Sequence, residues 1–259
     1  MVDDTDRAFI DLLDHLDALG ITENTYVIFT SDNGGGLRGN KPLSGAKGDL
    51  TEGGIRVPFI IRGPGIPRNA YCSVPTAGWD LLPTYYELAG GVAELPSELD
   101  GVSIADAFHQ GNAADIERSG DALIFHFPWY NGEPESSIRR GDFKLLKNLD
   151  TQVVALYKLS DDLSEKHDLK SFYPEIAASL EQQMMEYLDS VGAEDVNELR
   201  ALFKKHHALS SYRITEDQLK IFSVYTHFAD HYQKDGGSSL CDWINFLTKS
   251  ELIRIEINR

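Results

Sequence analysis

Cysteine is scarce in this sequence: Cys72 and Cys241 are the two among 259 residues. A pair so far apart excludes a disulfide framework or a thiolate metal centre as the organising chemistry. Long apolar runs are missing as well. None approaches the roughly 20 residues that a membrane-spanning helix requires, so no membrane span is expected. Basic residues are outnumbered 24 to 41, for a net charge of −17. That balance argues against a nucleic-acid partner, because phosphate binding rests on clustered Lys and Arg. The opening Met1-Val2-Asp3-Asp4-Thr5-Asp6 is acidic where a secretory leader is basic and then apolar. It carries no address, and the compartment stays open.

What is present suffices for a packed core, since 42% of the residues are hydrophobic. Phe9, Leu12, Leu13, Leu16 and Leu19 repeat at helical spacing, which predicts an amphipathic helix over 4–19 with one apolar face packed inward and Gly20 as its stop. Tyr26-Val27-Ile28-Phe29 reads as a strand buried on both faces, and Val57-Pro58-Phe59-Ile60-Ile61 as a second strand. Asp80 is expected to cap a helix running to Ala89, with Pro83 tolerated in its first turn. From Ala122 the pattern changes to short runs, Leu123–Phe125, Ser137 to Leu146 and Val154–Tyr157, separated by turn residues. These predict an antiparallel sheet. Pro174 opens a helix whose Ile176, Leu180, Met184 and Leu188 stripe should cover that sheet, and a further helix is expected beyond Thr215.

The chemistry-bearing residues cluster after the first strand. Asp32 and Asn33, in Ser31-Asp32-Asn33-Gly34-Gly35-Gly36, offer two hard oxygen donors of the type that Ca²⁺ or Mg²⁺ prefers, at a strand end where ligands of α/β sheets commonly sit. Asp-Asn-Gly is equally a good turn. Lys47 lies in Gly45-Ala46-Lys47-Gly48, where flanking glycines allow a cation and nearby backbone close to an anion. Between Asn33 and Tyr71, Arg38, Lys41, Lys47, Arg56, Arg62 and Arg68 stand against Asp49 and Glu52, a local basic excess in an acidic chain. Arg56 either approaches the same site or pairs with Glu52. His126, in His126-Phe127-Pro128-Trp129-Tyr130, is either a substrate contact or a satisfied structural histidine. His227 and His231 have metal-pair spacing, but Phe228 stands where a zinc protease needs glutamate.

The ordered series Thr30-Ser31-Asp32-Asn33-Gly34-Gly35, Pro42-Leu43, Gly45-Ala46-Lys47-Gly48 and Glu52-Gly53-Gly54-Ile55-Arg56-Val57-Pro58 resembles the type I sulfatases of the alkaline phosphatase superfamily. Asp80–Thr84, Leu99–Ser103, Ser136–Leu145 and Leu156–Leu159 with Glu165 resemble later segments of the same family, to about residue 206. The resemblance implies an α/β fold: an incomplete alkaline-phosphatase-like sheet sandwiched by helices over 1–120, an antiparallel-sheet-plus-helix subdomain over 121–210, and a helical tail over 211–259. It implies hydrolysis of sulfate esters, with Asp32 and Asn33 as two ligands of Ca²⁺ (or Mg²⁺) and Lys47 contacting sulfate and the leaving oxygen. Arg56 is a further candidate for substrate, and His126 for catalysis or substrate contact. Sulfated glycans and aryl sulfates are the implied substrates.

The family's nucleophile, a formylglycine made within a Cys- or Ser-x-Pro-x-Arg motif, has no counterpart here; Ser73-Val74-Pro75-Thr76-Ala77 lacks the arginine. The carboxylate pair that completes the metal site is also missing. The isolated chain is therefore expected to be inactive, with the amino-terminal half that holds the first strands of the sheet missing. Two other readings stay open at this point: a phosphohydrolase of the same superfamily, and a non-catalytic binding or assembly partner of that half.

Overall fold

The computed structural model describes residues 2–36, 40–97, 99–128 and 133–199. The expected helical tail, His227 and His231, Cys241, Arg38, and Trp129 and Tyr130 lie outside them. The chain divides into two compact units, 1–193 and 194–259. The first holds the elements that follow.

Helix α1 runs Val2–Ala18, and contrary to the inward packing expected of it, none of its residues is buried. Phe9, Leu13 and Leu16 are half-buried, with the Phe9 ring edge-on to Phe29 at 5.5 Å, while Leu12 is 48% exposed. Strand β1 (Val27–Thr30) pairs antiparallel with β2 (Phe59–Arg62), with Ile28 opposite Ile61. The expectation of a strand buried on both faces fails: β1 is half-buried, and Ile60 on β2 is 62% exposed. Among the described residues these strands form a ribbon of two, too narrow to shield both faces. Ile28 and Ile61 pack with Ile104, Ala107 and Phe108 of the helix α4 segment (Ala105–Gln110, entered from Ile104). The short helix α2 (Glu52–Ile55) lies between the two strands in sequence.

Helix α3 runs Leu81–Leu88. Asp80 precedes it, but its carboxylate does not cap the helix. It is fully buried, accepting two bonds from the Arg118 guanidinium, both at 3.0 Å, and one each from the backbone N–H groups of Ala77 (2.8 Å) and Val102 (3.2 Å). A buried carboxylate favours a full cationic partner over a helix end.

The four-stranded sheet follows expectation: β3 (Leu123–Phe127), β4 (Glu135–Arg140), β5 (Phe143–Asn148) and β6 (Val154–Lys158) pair antiparallel in chain order. Directly opposed residues share a face, so the register defines two sets. Ile138, Leu145 and Leu156 face helix α5 (Pro174–Ser190) and pack with its Ala177, Leu180, Met184 and Leu188. Arg139, Lys144 and Tyr157 belong to the opposite face. Ile138→Val, which removes one methylene from the fully buried layer, should cost about 0.5–1.5 kcal/mol in urea denaturation.

Candidate active site

Residues 31–56 form a knot of loops at the end of β1. Asn40 ties it together, its side-chain amide donating to the carbonyls of Gly35 (2.8 Å), Gly45 (3.2 Å) and Gly53 (2.9 Å). Backbone bonds complete the tie: Gly34 N–H to Gly54 (2.8 Å), Lys47 N–H to Gly35 (3.0 Å) and Gly53 N–H to Ser44 (2.7 Å). These approaches require glycine. A Cβ on Gly34 would stand inside van der Waals contact with the Gly53 carbonyl, and one on Gly54 would lie 2.5 Å from the Ala46 carbonyl.

The knot joins the turn of Asp32 and Asn33 to the loop of Lys47 through the Lys47 N–H bond to the Gly35 carbonyl, while neither Asp32 nor Lys47 lines its cleft. Partial desolvation pushes the Asp32 carboxyl up. The backbone N–H groups of Asp32 and Asn33, the Lys47 charge and the Ser31 hydroxyl outweigh it and hold the group below its ordinary value. Both Asp32 and Lys47 are exposed. Asn33 and Arg56 line one open cleft of about 520 Å³, together with Asn40, Lys41 and Pro58. Arg56 does both things its sequence context allowed: it lines this cleft and its Nη1 donates to Glu52 Oε2 at 2.8 Å.

Glu52 anchors the knot to the second sheet. Lys144 Nζ lies 2.9 Å from Glu52 Oε1 and 2.8 Å from Glu165 Oε1, and Glu165 Oε2 accepts the Glu52 N–H at 2.6 Å. All three side chains are buried. Ser44 Oγ adds a 2.6 Å bond to the Ser164 carbonyl. Desolvation drives both carboxyls up; Lys144 and Arg56 overcome it at Glu52, which is lowered, whereas Glu165 stays raised, with Glu52 repelling it. The ionised form of Glu165 therefore carries a cost that sets in as pH rises above the ordinary glutamate value and is complete above the raised one. Glu165→Gln removes that group while leaving Glu52 in place. Its melting temperature relative to the native chain should climb from acidic to neutral pH; an offset constant with pH would contradict the assignment.

His126 is placed differently. It pairs with Ser136 across β3 and β4, and its Nδ1 lies 2.8 Å from Ser136 Oγ. The register puts it on the α5 face, opposite the Lys144 face that the knot covers.

Sequence reasoning missed Asn40 and the Lys144–Glu52–Glu165 cluster as parts of the site. One signal was legible: Lys144 interrupts the apolar run Phe143–Leu146, where a buried strand lysine demands carboxylate partners. Asn40, a short amide ahead of Lys41-Pro42, gave none beyond turn propensity.

For a metal, Asp32 and Asn33 fit Ca²⁺ or Mg²⁺ in kind, as hard oxygens, but not in number. Ca²⁺ takes about six to eight oxygens, and among the described residues no three His, Cys, Asp or Glu side chains gather to hold an ion.

Comparison with known proteins identifies a family. The Sulfatase family model matches residues 1–92. A sulfatase of Formosa agariphila is 35% identical over 233 residues, which cover 78% of this chain and 40% of that protein. Among solved structures, Ps i-CgsB in complex with k-i-k-neocarrahexaose superposes with a TM-score of 0.62 at 30% identity, over 72% of this chain and 41% of the other. BT4656 in complex with its substrate D-glucosamine-2-N,6-O-disulfate gives 0.59 at 26% identity, over 73% and 39%. The chain thus spans about 40% of the length of these relatives. In sequence and in fold, it belongs to the type I sulfatase family.

Proposed function

We propose that this chain supplies the oxyanion-holding part of a sulfate-ester hydrolase site. The observation that carries the reading is the Lys47 to Gly35 backbone tie, which joins the loop of Lys47 to the turn of Asp32 and Asn33; the Lys47 charge contributes to holding the Asp32 carboxyl below its ordinary value. In this reading Asp32 and Asn33 contribute two ligands to a divalent cation, whose chemistry when bound is to neutralise the sulfate oxygens. Lys47 binds a sulfate oxygen and steadies charge on the leaving oxygen, and Arg56 orients the substrate from the cleft wall. The lowered value of Asp32 keeps it ionised, and able to ligate, to more acidic pH than a free aspartate. His126, on the other sheet face, is left to a structural role. Sulfated sugars are the substrate class we favour, by analogy with the disulfated glucosamine bound by BT4656; aryl sulfates share the reacting group.

With no Cys- or Ser-x-Pro-x-Arg motif among its residues, the chain by itself should bind sulfate esters without cleaving them. A second reading follows from the span of about 40% of the Formosa agariphila relative's length: turnover needs a nucleophile-bearing segment beyond these residues. The test is sulfate release from an aryl sulfate by the purified chain in Ca²⁺, with aryl phosphate in parallel. No release is expected from either; robust turnover of the sulfate would refute the claim of inactivity, and preferential turnover of the phosphate would move the chain to the phosphohydrolases.

A further inference from the structure

We infer that Lys144 on β5 and Glu165 in the segment after β6 are positioning residues for the site: they fix the 44–56 loop, and with it Lys47 and Arg56, from beneath. The inference rests on the proposed sulfate-binding role of Lys47 for its functional consequence, and on geometry alone for its structural one.

The loop meets the sheet and the segment after β6 through a few polar contacts. Ser44 Oγ reaches the Ser164 carbonyl at 2.6 Å at the loop's start, and Leu50 N–H reaches Glu135 Oε2 at 3.4 Å close to its middle. At its centre Glu52 is gripped twice, its carboxylate by Lys144 and its N–H by Glu165. The same carboxylate holds Arg56 on the cleft wall, so one side chain links a cation under the loop to a cation in the site. Glu52 also begins α2, whose Gly53 and Gly54 close the knot on Gly34, Ser44 and Asn40. Lys144 is 1% exposed, and its ammonium lies between two carboxylates on a strand whose register neighbours Arg139 and Tyr157 share its face. A cation so enclosed does not contact substrate. Its effect on the site passes through Glu52, because removing it leaves the buried Glu165 without a cation and Glu52 with Arg56 alone, and the loop must shift for water to reach them.

The test compares the intact chain with Lys144→Met, Glu165→Gln and Glu165→Ala by amide hydrogen exchange and by calorimetric titration with inorganic sulfate in Ca²⁺. Lys144→Met keeps the apolar stem and is expected to speed exchange of the Lys47, Glu52, Gly53 and Gly54 amides at least tenfold, with Leu145 and Leu156 changed far less, and to weaken sulfate binding at least tenfold. Glu165→Gln retains an acceptor for the Glu52 N–H and the Lys144–Glu52 pair, and should stay within about twofold of the native chain in both. Glu165→Ala, which removes that acceptor but keeps the pair, decides the matter if Lys144→Met does not fold: a rise in exchange confined to 44–56 supports the inference. Native exchange in the loop, or a uniform rise through loop and sheet, would overturn it, as would Glu165→Gln behaving like Lys144→Met. If the native chain binds no sulfate, the functional reading fails, and the exchange pattern still decides whether the sheet positions the loop.

Discussion

Gly54→Ala should undo the candidate site. A Cβ at this position would lie 2.5 Å from the Ala46 carbonyl and closer still to that of Asp49, and both are backbone atoms that no rotamer change moves aside. Overpacking typically costs about 1–3 kcal/mol, and a clash against backbone on two sides belongs at the top of that range or above it. The loss should be local first: the Gly34 N–H bond to the Gly54 carbonyl and the Gly54 N–H bond to Thr51 fail together, freeing the turn that carries Asp32 and Asn33 from the one that carries Arg56. Hydrogen exchange across 31–56 reads this directly. Gly36→Ala is the control, because a Cβ there meets nothing within 4 Å and should leave stability and exchange unchanged.

Asp80→Ala is expected to give the larger loss of global stability. It leaves the Arg118 guanidinium, 9% exposed, without its carboxylate, and strips the N–H groups of Ala77 and Val102 of their acceptor. Removing one partner of a buried pair costs about 3–5 kcal/mol, a large share of the 5–15 kcal/mol that typically holds a domain together. Adding Arg118→Met should recover part of the loss, since the greater penalty lies in the stranded charge. A double mutant no more stable than Asp80→Ala in urea denaturation would show that the charge pair was not the cause.

Periodicity made much of this fold legible. The Leu180, Met184 and Leu188 stripe and the short apolar runs from Leu123 to Tyr157 specified helix α5, the four-stranded sheet and the face on which they meet, because burial of one face imposes spacing on the sequence. The same reasoning failed at β1. Apolar content reports what a strand is able to bury, and Val27–Phe29 are only half-buried in a ribbon of two strands. Asp80 misled in another way: a carboxylate before a helix signals a cap, and the distant Arg118 that captured it leaves no local trace.

The site was legible where its motifs are contiguous and opaque where it depends on tertiary approach. Asp32, Asn33 and Lys47 stood out through their glycine-rich surroundings, and the Gly35 to Lys47 bond brings their turns together. Asn40 and Glu165 act through partners far along the chain, 13 residues in the bond to Gly53 and 113 in the bond to Glu52. His126 has the aromatic neighbours of a binding residue, and only the strand register reveals which face it occupies.

The proposal that the Asp32–Asn33 turn and Lys47 form one pocket for a cation and an oxyanion stands or falls on calorimetric titration of the intact chain with an aryl sulfate, with and without Ca²⁺, against Asp32→Asn and Lys47→Ala. Binding should strengthen with Ca²⁺ in the native chain, lose its Ca²⁺ dependence in Asp32→Asn, and fall at least tenfold in Lys47→Ala. Equal affinity in all three proteins, indifferent to Ca²⁺, would contradict it.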